Sequence, residues 1–252
     1  PEPAEGASAP GPAAPVLPLA LRALGGERLR VRDGVLAADE LEAALAAVRG
    51  SPYFGENAGE NGFYRGTLGF HVKFRGTHRH LVEEHLPFLR PLLPALLCPE
   101  CNCFFLNVFH ARPDGQDYHT DNFFTQYCGA FRPTDLVTVA YLGAPESMVG
   151  GDLVVLEASL AELERQGARP PARGAEDLGP CTVAPVLRKV RPRPGRVVDF
   201  DGRLLHAVHA FESPEPRVSL VVEQCKLPRR HFLKTPRFSI YCQRTNRELE
   251  IA

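Results

Sequence analysis

The sequence predicts a mainly β domain with flanking helices, arranged as a double-stranded β-helix (jelly roll). Three observations predict it. From Cys103 onward the chain breaks into short apolar runs bounded by Gly, Pro and Asp, as many short strands joined by turns do. Helical spacing is concentrated before Cys103, where it suits helices packed on one sheet. The chain has 252 residues and 44% apolar content, enough to bury one full core without metal or disulfide staples.

The elements run in order from the N-terminus. Residues 1–18 are Pro/Ala/Gly-rich with few large side chains and read as a disordered arm, leaving residues 19–252 as a single domain. Leu29 to Leu36 alternates apolar and charged residues and then turns at Asp33-Gly34, which suits a first strand or hairpin. Ala38 to Arg49 has Leu41, Leu45 and Val48 at helical spacing and stops at Gly50-Ser51-Pro52. Gly55 to Gly69 reads as a loop over one end of the fold, its Gly55–Arg65 stretch a candidate substrate cover. His80 to Leu97 has helical spacing cut by Pro87, Pro91 and Pro94. The core, residues 103–225, holds strands at Phe104 to Ala111, Asp135 to Leu142, Gly151 to Leu156, Val186 to Arg191, Arg196 to Phe200, Leu204 to His209 and Arg217 to Glu223. A helical stretch, Ala158 to Gly167, and the Pro/Gly/Arg-rich run after it read as an insertion over about 158–185.

Composition excludes several classes. The formal net charge is −1, so no global field draws the chain to nucleic acid or membrane. The longest apolar stretches, Val16 to Leu24 and Leu89 to Cys98, are too short to span a bilayer. Seven cysteines cannot all pair within one chain, which favours a reducing, cytoplasmic compartment. The chain begins at Pro1 and reads as trimmed or processed, so a missing signal peptide carries no information.

The chemistry centres on His119-Thr120-Asp121. Residues i and i+2 of a strand face the same way, so this triplet offers an imidazole and a carboxylate to one point. Arg112-Pro-Asp-Gly115 before it reads as the turn of a hairpin. The triplet alone suits an exposed polar pair as well as a metal site; its weight comes from residues far downstream in the chain. A later histidine completes a three-ligand face that leaves positions open on non-haem Fe(II). His206 and His209 are the two candidates, and they point to opposite faces of their strand. Ser219 shares a strand face with Arg217, whose planar guanidinium suits a carboxylate.

The order of His119-x-Asp121, Val137–Leu142, Gly150–Val155, Val190–Phe200, Leu205-His206-Ala-Val208 and Arg217-Val-Ser219 resembles the Fe(II)- and 2-oxoglutarate-dependent dioxygenases, prolyl-hydroxylase-like branch. The resemblance runs from about Asn107 to Glu223. It implies His119, Asp121 and His206 as iron ligands, with Arg217 and Ser219 holding the far carboxylate of 2-oxoglutarate. The context of His206 and its spacing to Arg217 match the family better than those of His209. Many members carry a Tyr where Phe109 stands, which leaves Tyr141 or Tyr118 to bond the co-substrate. The implied cofactors are Fe(II), 2-oxoglutarate and O2, with ascorbate as accessory reductant. The implied reaction is hydroxylation of a prolyl or other side chain of a protein or peptide, coupled to decarboxylation of 2-oxoglutarate to succinate. A carboxylate at position 121 points to hydroxylation and not halogenation. The alternatives are a hydroxylase of a free amino acid or small natural product, a cupin-like metal enzyme without 2-oxoglutarate, and a silent jelly roll that only binds.

Other motifs speak less clearly. Cys98-x2-Cys101-x-Cys103 suits zinc, a redox pair or simply buried thiols. His71, His78, His80 and His85 crowd one region, and Asp114 and Asp117 read as turn formers. Lys226 to Arg237 carries five Lys/Arg and no acid; it suits a solvated face or an anionic partner better than nucleic acid. Tyr118 and Asn122 flank the triplet as candidate substrate neighbours.

Overall fold

A computed structural model describes residues 17–56, 68–169, 184–242, 245 and 247–250. The expected arm, most of the Gly55–Arg65 loop and the middle of the 158–185 insertion lie outside these residues. The strands are β1 (Leu29–Arg32), β2 (Gly55–Glu56), β3 (Leu68–Arg75), β4 (Cys103–His110), β5 (Gln116–His119), β6 (Leu136–Gly143), β7 (Val149–Gly150), β8 (Leu153–Ser159), β9 (Val186–Val190), β10 (Val197–Asp201), β11 (Leu204–Val208), β12 (Phe211–Glu212), β13 (Val218–Cys225), β14 (Phe238–Cys242) and β15 (Arg247–Glu250).

Two antiparallel sheets share the core strands. The large sheet runs β1-β10-β6-β13-β4-β3-β14-β15, with β2 added on β3, and the small sheet runs β5-β11-β8-β9. Strands β4, β6, β10 and β13 therefore face β5, β8, β9 and β11, the jelly-roll arrangement that the sequence predicts. Period-two alternation sorts each strand's side chains between two layers. On β4, Phe104, Leu106 and Val108 join the outer cluster, as do Leu220 and Val222 of β13 and Ala140 and Leu142 of β6. The opposite faces of these strands, including Asn107, Ser219 and Tyr141, turn toward the small sheet and line a cavity.

Helices cover the outer layer. The first long one, Ala38–Arg49, has Asp39 and Glu40 in its first turn and Arg49 in its last, which suits the helix dipole. Glu40 reaches back to the Ala37 N–H at 3.1 Å, Gly50 ends the helix, and Leu41, Ala44 and Val48 form its buried stripe. Further along, the prolines act as expected: helix at Arg79–His85, a single 3-10 turn at Pro87–Leu89, and a short helix at Leu93–Leu96. Ser159 caps Leu160–Arg165 through a reciprocal capping box with Glu162. Among the described residues no helix is long and apolar enough to cross a membrane.

Two sequence expectations need correction. Arg112–Gly115 is not a hairpin. Both hydrogen-bonding edges of β4 are filled, by β13 and β3, so β5 cannot pair with it and the turn carries the chain to the other sheet. Gly115 has φ +73°, and a Cβ there would collide with the Val208 carbonyl, so a tight left-handed turn still requires glycine. The second correction is β3, absent, like β14 and β15, from the predicted strands. Phe70, Val72 and Phe74 enter the outer core, each burial stabilising by roughly 1.5–3 kcal/mol.

Candidate metal centre and co-substrate cavity

Antiparallel pairing of β5 and β11 sets His206 directly opposite His119. Their rings stand 4.2 Å apart between centroids. Asp121 lies just past the end of β5, and its carboxylate sits against both imidazoles. Oδ1 is 3.6 Å from His119 Nε2, and Oδ2 is 3.5 Å from His206 Nε2. These separations are too long for good direct hydrogen bonds. One donor atom from each residue lies within 4.8 Å of the other two, the only such group of three among the described residues.

The rings are fixed by backbone. His119 Nδ1 donates to the Asp117 carbonyl at 2.7 Å and His206 Nδ1 to the Leu204 carbonyl at 3.1 Å. A carbonyl only accepts, so each Nδ1 donates there and each Nε2 is turned to the Asp121 carboxylate. Phe200 meets the His206 ring edge-on at 4.9 Å and holds its orientation. The side chains are 16%, 10% and 6% exposed for His119, Asp121 and His206. Burial and the nearby His206 lower the His119 pKa despite Asp121. Burial alone would raise Asp121, but the charge of His206 and the polar contacts of both imidazoles hold its carboxyl below the usual range. His119 neutral and Asp121 ionised is the protonation state a divalent cation needs.

The six residues that the resemblance assigns to metal and co-substrate, His119, Asp121, His206, Arg217, Ser219 and Tyr141, line one cavity of about 350 Å³ between the sheets. Arg217 is 3% exposed and donates through Nη1 to the Gly151 carbonyl at 2.8 Å. Its guanidinium lies 5.8 Å from the Tyr141 ring centroid and 5.3 Å from that of Phe211. Among the described residues it has no carboxylate partner, and its Nε and the Ser219 Oγ are buried without a hydrogen bond. Ser219 is the cross-strand neighbour of both Tyr141 and Phe109. Gly150 and Gly151, with φ +83° and +76°, let the backbone turn under Arg217.

Of the other candidates, Asp117 and Tyr118 share the cavity wall and the rest fall elsewhere. His209 lies past the end of β11, where its N–H bonds the Asp152 carbonyl, and it does not line the cavity. Tyr118 lines the same cavity and also packs against Val154, Leu156 and Leu205, and Asn122 is exposed. Asp114 pairs with Arg112 at the rim. No three of the described cysteines converge, nor do His71, His78, His80 and His85.

Sequence reading missed Asn107 and Glu223, which also line the cavity. Glu223 Oε2 accepts from Thr134 Oγ1 at 2.8 Å and from the Phe123 N–H at 3.0 Å. Burial, then Asp121, raises its pKa well above the usual carboxylate value. The signal was present: Glu223 is four residues from Ser219 on the same strand face, and Asn107 is two from Phe109.

No family model and no curated protein matches the sequence. Solved structures resemble it distantly. A Pseudomonas putida prolyl-4-hydroxylase is 15% identical with a TM-score of 0.47, over 83% of this chain and 98% of that one. A prolyl hydroxylase from Trichoplax adhaerens, in complex with a hypoxia inducible factor peptide fragment, is 13% identical at 0.48, over 86% and 91%. The non-heme alpha ketoglutarate dependent epimerase SnoN, from nogalamycin biosynthesis, is 18% identical at 0.45, over 82% and 80%. Likenesses this remote carry no argument about chemistry, which rests on the residues of this chain.

Proposed function

We propose that this chain is an Fe(II)- and 2-oxoglutarate-dependent oxygenase that hydroxylates a side chain of a protein or peptide. One observation carries the reading: the buried guanidinium of Arg217 has no carboxylate among the described residues and shares a cavity with two imidazoles and a carboxylate. A buried cation left unpaired is costly, and an anionic co-substrate removes the cost.

The donor set fits the metal. Two nitrogens and one carboxylate oxygen on one side leave the other side of a six-coordinate Fe(II) open. His119, Asp121 and His206 would hold it; Arg217 and Ser219 would take the far carboxylate of 2-oxoglutarate, with Tyr141 beside them. When bound, the metal and 2-oxoglutarate supply the oxidising power, with succinate and carbon dioxide released as O2 is consumed. The chain's own part is positioning. The Asp117 and Leu204 carbonyls orient the imidazoles, and the Gly151 carbonyl orients Arg217. Val137, Val139, Leu153 and Val221 form an apolar wall that excludes water from the centre.

Charge supports a peptide over a free amino acid. With Arg217 engaged by 2-oxoglutarate, the other cation on the cavity wall is Arg112, already paired with Asp114. An amino-acid carboxylate would have no buried partner among the described residues, whereas a side chain within a peptide brings no terminal charges. An uncharged small molecule is the competing substrate.

The test is anaerobic loading with Fe(II), then measurement of succinate release from 2-oxoglutarate on admitting O2, with and without peptide libraries. Asp121→Ala is expected to lose metal uptake and turnover together while remaining folded. Undiminished turnover in Asp121→Ala and Arg217→Ala would refute the assignment.

A further inference from the structure

A second cavity, of about 200 Å³, opens away from the metal centre. Its walls include Arg30, Arg32, Asp199, Leu136, Glu100 and Cys98. Asp199 accepts from Arg32 at 2.8 and 3.0 Å, from Arg30 at 3.4 Å and from Thr138 at 2.9 Å. Glu100 is taken by Arg22 at 2.6 Å. The wall thus carries two guanidiniums and two carboxylates, one of which, Glu100, is paired by Arg22 from outside the wall. Arg30 has a 42% exposed side chain, which places it at the mouth, and its Nε is buried without a hydrogen bond among the described residues.

Cys98 opens the turn Cys98-Pro99-Glu100-Cys101, closed by the Cys101 N–H on the Cys98 carbonyl at 3.1 Å. Pro99 suits the second position of such a turn, whose ends stand within about 7 Å between Cα atoms, the range a disulfide spans. Both thiols are free and lie across this turn from each other. Only Cys98 lines the cavity; Cys101 sits behind it. Both residues are buried, so the cavity wall is the approach to Cys98 and Cys101 is the thiol placed to resolve it.

We propose that Cys98 and Cys101 are a redox-active dithiol, oxidised through the Arg30/Arg32 cavity by an anionic low-molecular-weight disulfide of the glutathione class. The Cys98 thiolate attacks one sulfur of the disulfide, forming a mixed disulfide and releasing one thiolate. Cys101 then gives up its proton and attacks the Cys98 sulfur, releasing the second. Counted from the dithiol, the chain loses two electrons and two protons, and the small disulfide, once its thiolates are protonated, becomes two thiols. The Cys101 thiol beside it draws Cys98 down to about 6 against the effect of burial, which favours the thiolate on Cys98, while Cys98 and burial push Cys101 up. The Cys98 N–H donates to Gln224 Oε1 at 2.7 Å. Gln224 is tied in turn to Thr138 Oγ1 at 2.8 Å. This anchor confines closure to the turn.

The test needs neither iron nor 2-oxoglutarate, so it stands apart from the oxygenase reading. The full chain, metal-free and reduced, is titrated with glutathione disulfide at pH 7, alkylated and mapped by mass spectrometry. The parent is expected to lose two hydrogens with Cys98 linked to Cys101. Cys101→Ser is expected to hold one glutathione on Cys98, and Cys98→Ser none on Cys101. Arg30→Gln is expected to slow reaction with glutathione disulfide on the order of tenfold while leaving the rate with uncharged hydroxyethyl disulfide unchanged. Circular dichroism of each variant establishes that it is folded, and Cys101→Ala replaces Cys101→Ser if the latter is not. First modification at Cys128 or Cys242, no adduct in a folded Cys101 variant, or equal slowing with both disulfides in Arg30→Gln would each overturn the proposal.

Discussion

Replacing Arg217 with methionine separates a ligand-binding cation from a structural one, because the two roles predict opposite changes. In the protein without ligand, the guanidinium is 3% exposed and is compensated by one hydrogen bond to Gly151 and the faces of Tyr141 and Phe211. That bond contributes about 1.5–3 kcal/mol and each ring about 0.5–2 kcal/mol, against a desolvation cost of several kcal/mol. The sum is near zero, so Arg217→Met should leave unfolding free energy within about 1 kcal/mol of the parent, or raise it. Binding of 2-oxoglutarate should suffer heavily. Two charge-assisted hydrogen bonds lost to the far carboxylate are worth about 3–4 kcal/mol, roughly a hundred- to thousandfold in Kd. Calorimetry with Mn(II) in place of Fe(II), without oxygen, measures the affinity; urea denaturation measures the stability. A variant destabilised by more than about 3 kcal/mol with unaltered 2-oxoglutarate affinity would refute the reasoning and make Arg217 part of the scaffold.

Three further outcomes are expected from the same cavity and its supports. Gly151→Ala places a Cβ 3.2 Å from Phe211 Cβ and 3.3 Å from Arg217 Nη1 at φ +76°, so thermal melts should show a loss of about 1–2 kcal/mol and calorimetry a weaker 2-oxoglutarate affinity. His71 is buried against Phe105 and Tyr241, and burial, then Lys73, lowers its pKa from 6.5 to about 4. The unfolded chain therefore takes up the proton first, so stability is full above pH 6.5 and about 3 kcal/mol is lost as pH falls toward 4; His71→Phe should remove that slope in denaturation series. Glu223 has a raised folded pKa, so its contribution is lost as pH rises from the unfolded value toward the folded one. Glu223→Gln, which keeps a carbonyl for Thr134 and Phe123, should make the metal-free protein more stable than the parent at pH 8, and equal stability there would count against a neutral Glu223.

Reading the fold from sequence worked where alternation coincides with local burial. On β4, β6 and β13 one face is a continuous apolar row, and the expected ranges differ from the observed strands by a residue or two. It failed on β3 because Leu68–Arg75 alternates Phe70, Val72 and Phe74 with His71, Lys73 and Arg75, which look like a solvent face. Those polar residues are instead used by distant chain: Lys73 pairs with Glu248 of β15 at 2.7 Å, and Arg75 donates to Thr235 Oγ1 at 3.3 Å. No local pattern contains partners so far along the sequence. The hairpin expected at Arg112–Gly115 failed for a related reason, since the left-handed glycine is a local property and the choice of partner strand is not.

The candidate site was legible for a different reason. Polar groups at positions that alternation assigns to the interior cost stability unless something uses them. Asn107, Ser219 and Glu223 occupy such positions on the large sheet, with Arg217 just ahead of β13. The imidazoles come from the small sheet, on strands far apart in sequence that only the β5–β11 register brings opposite. The two sheets thus contribute unlike halves, acid and imidazole from one and guanidinium and hydroxyl from the other. On one wall both imidazoles turn Nε2 to the Asp121 carboxylate, and on the other Arg217 Nε and Ser219 Oγ are unbonded among the described residues. An interior built only for packing would not bury an unbonded guanidinium nitrogen and hydroxyl across a cavity from a carboxylate and two imidazoles. A metal ion on one wall and a diacid reaching to the other satisfy both at once, which is why the metal and the co-substrate are inferred together.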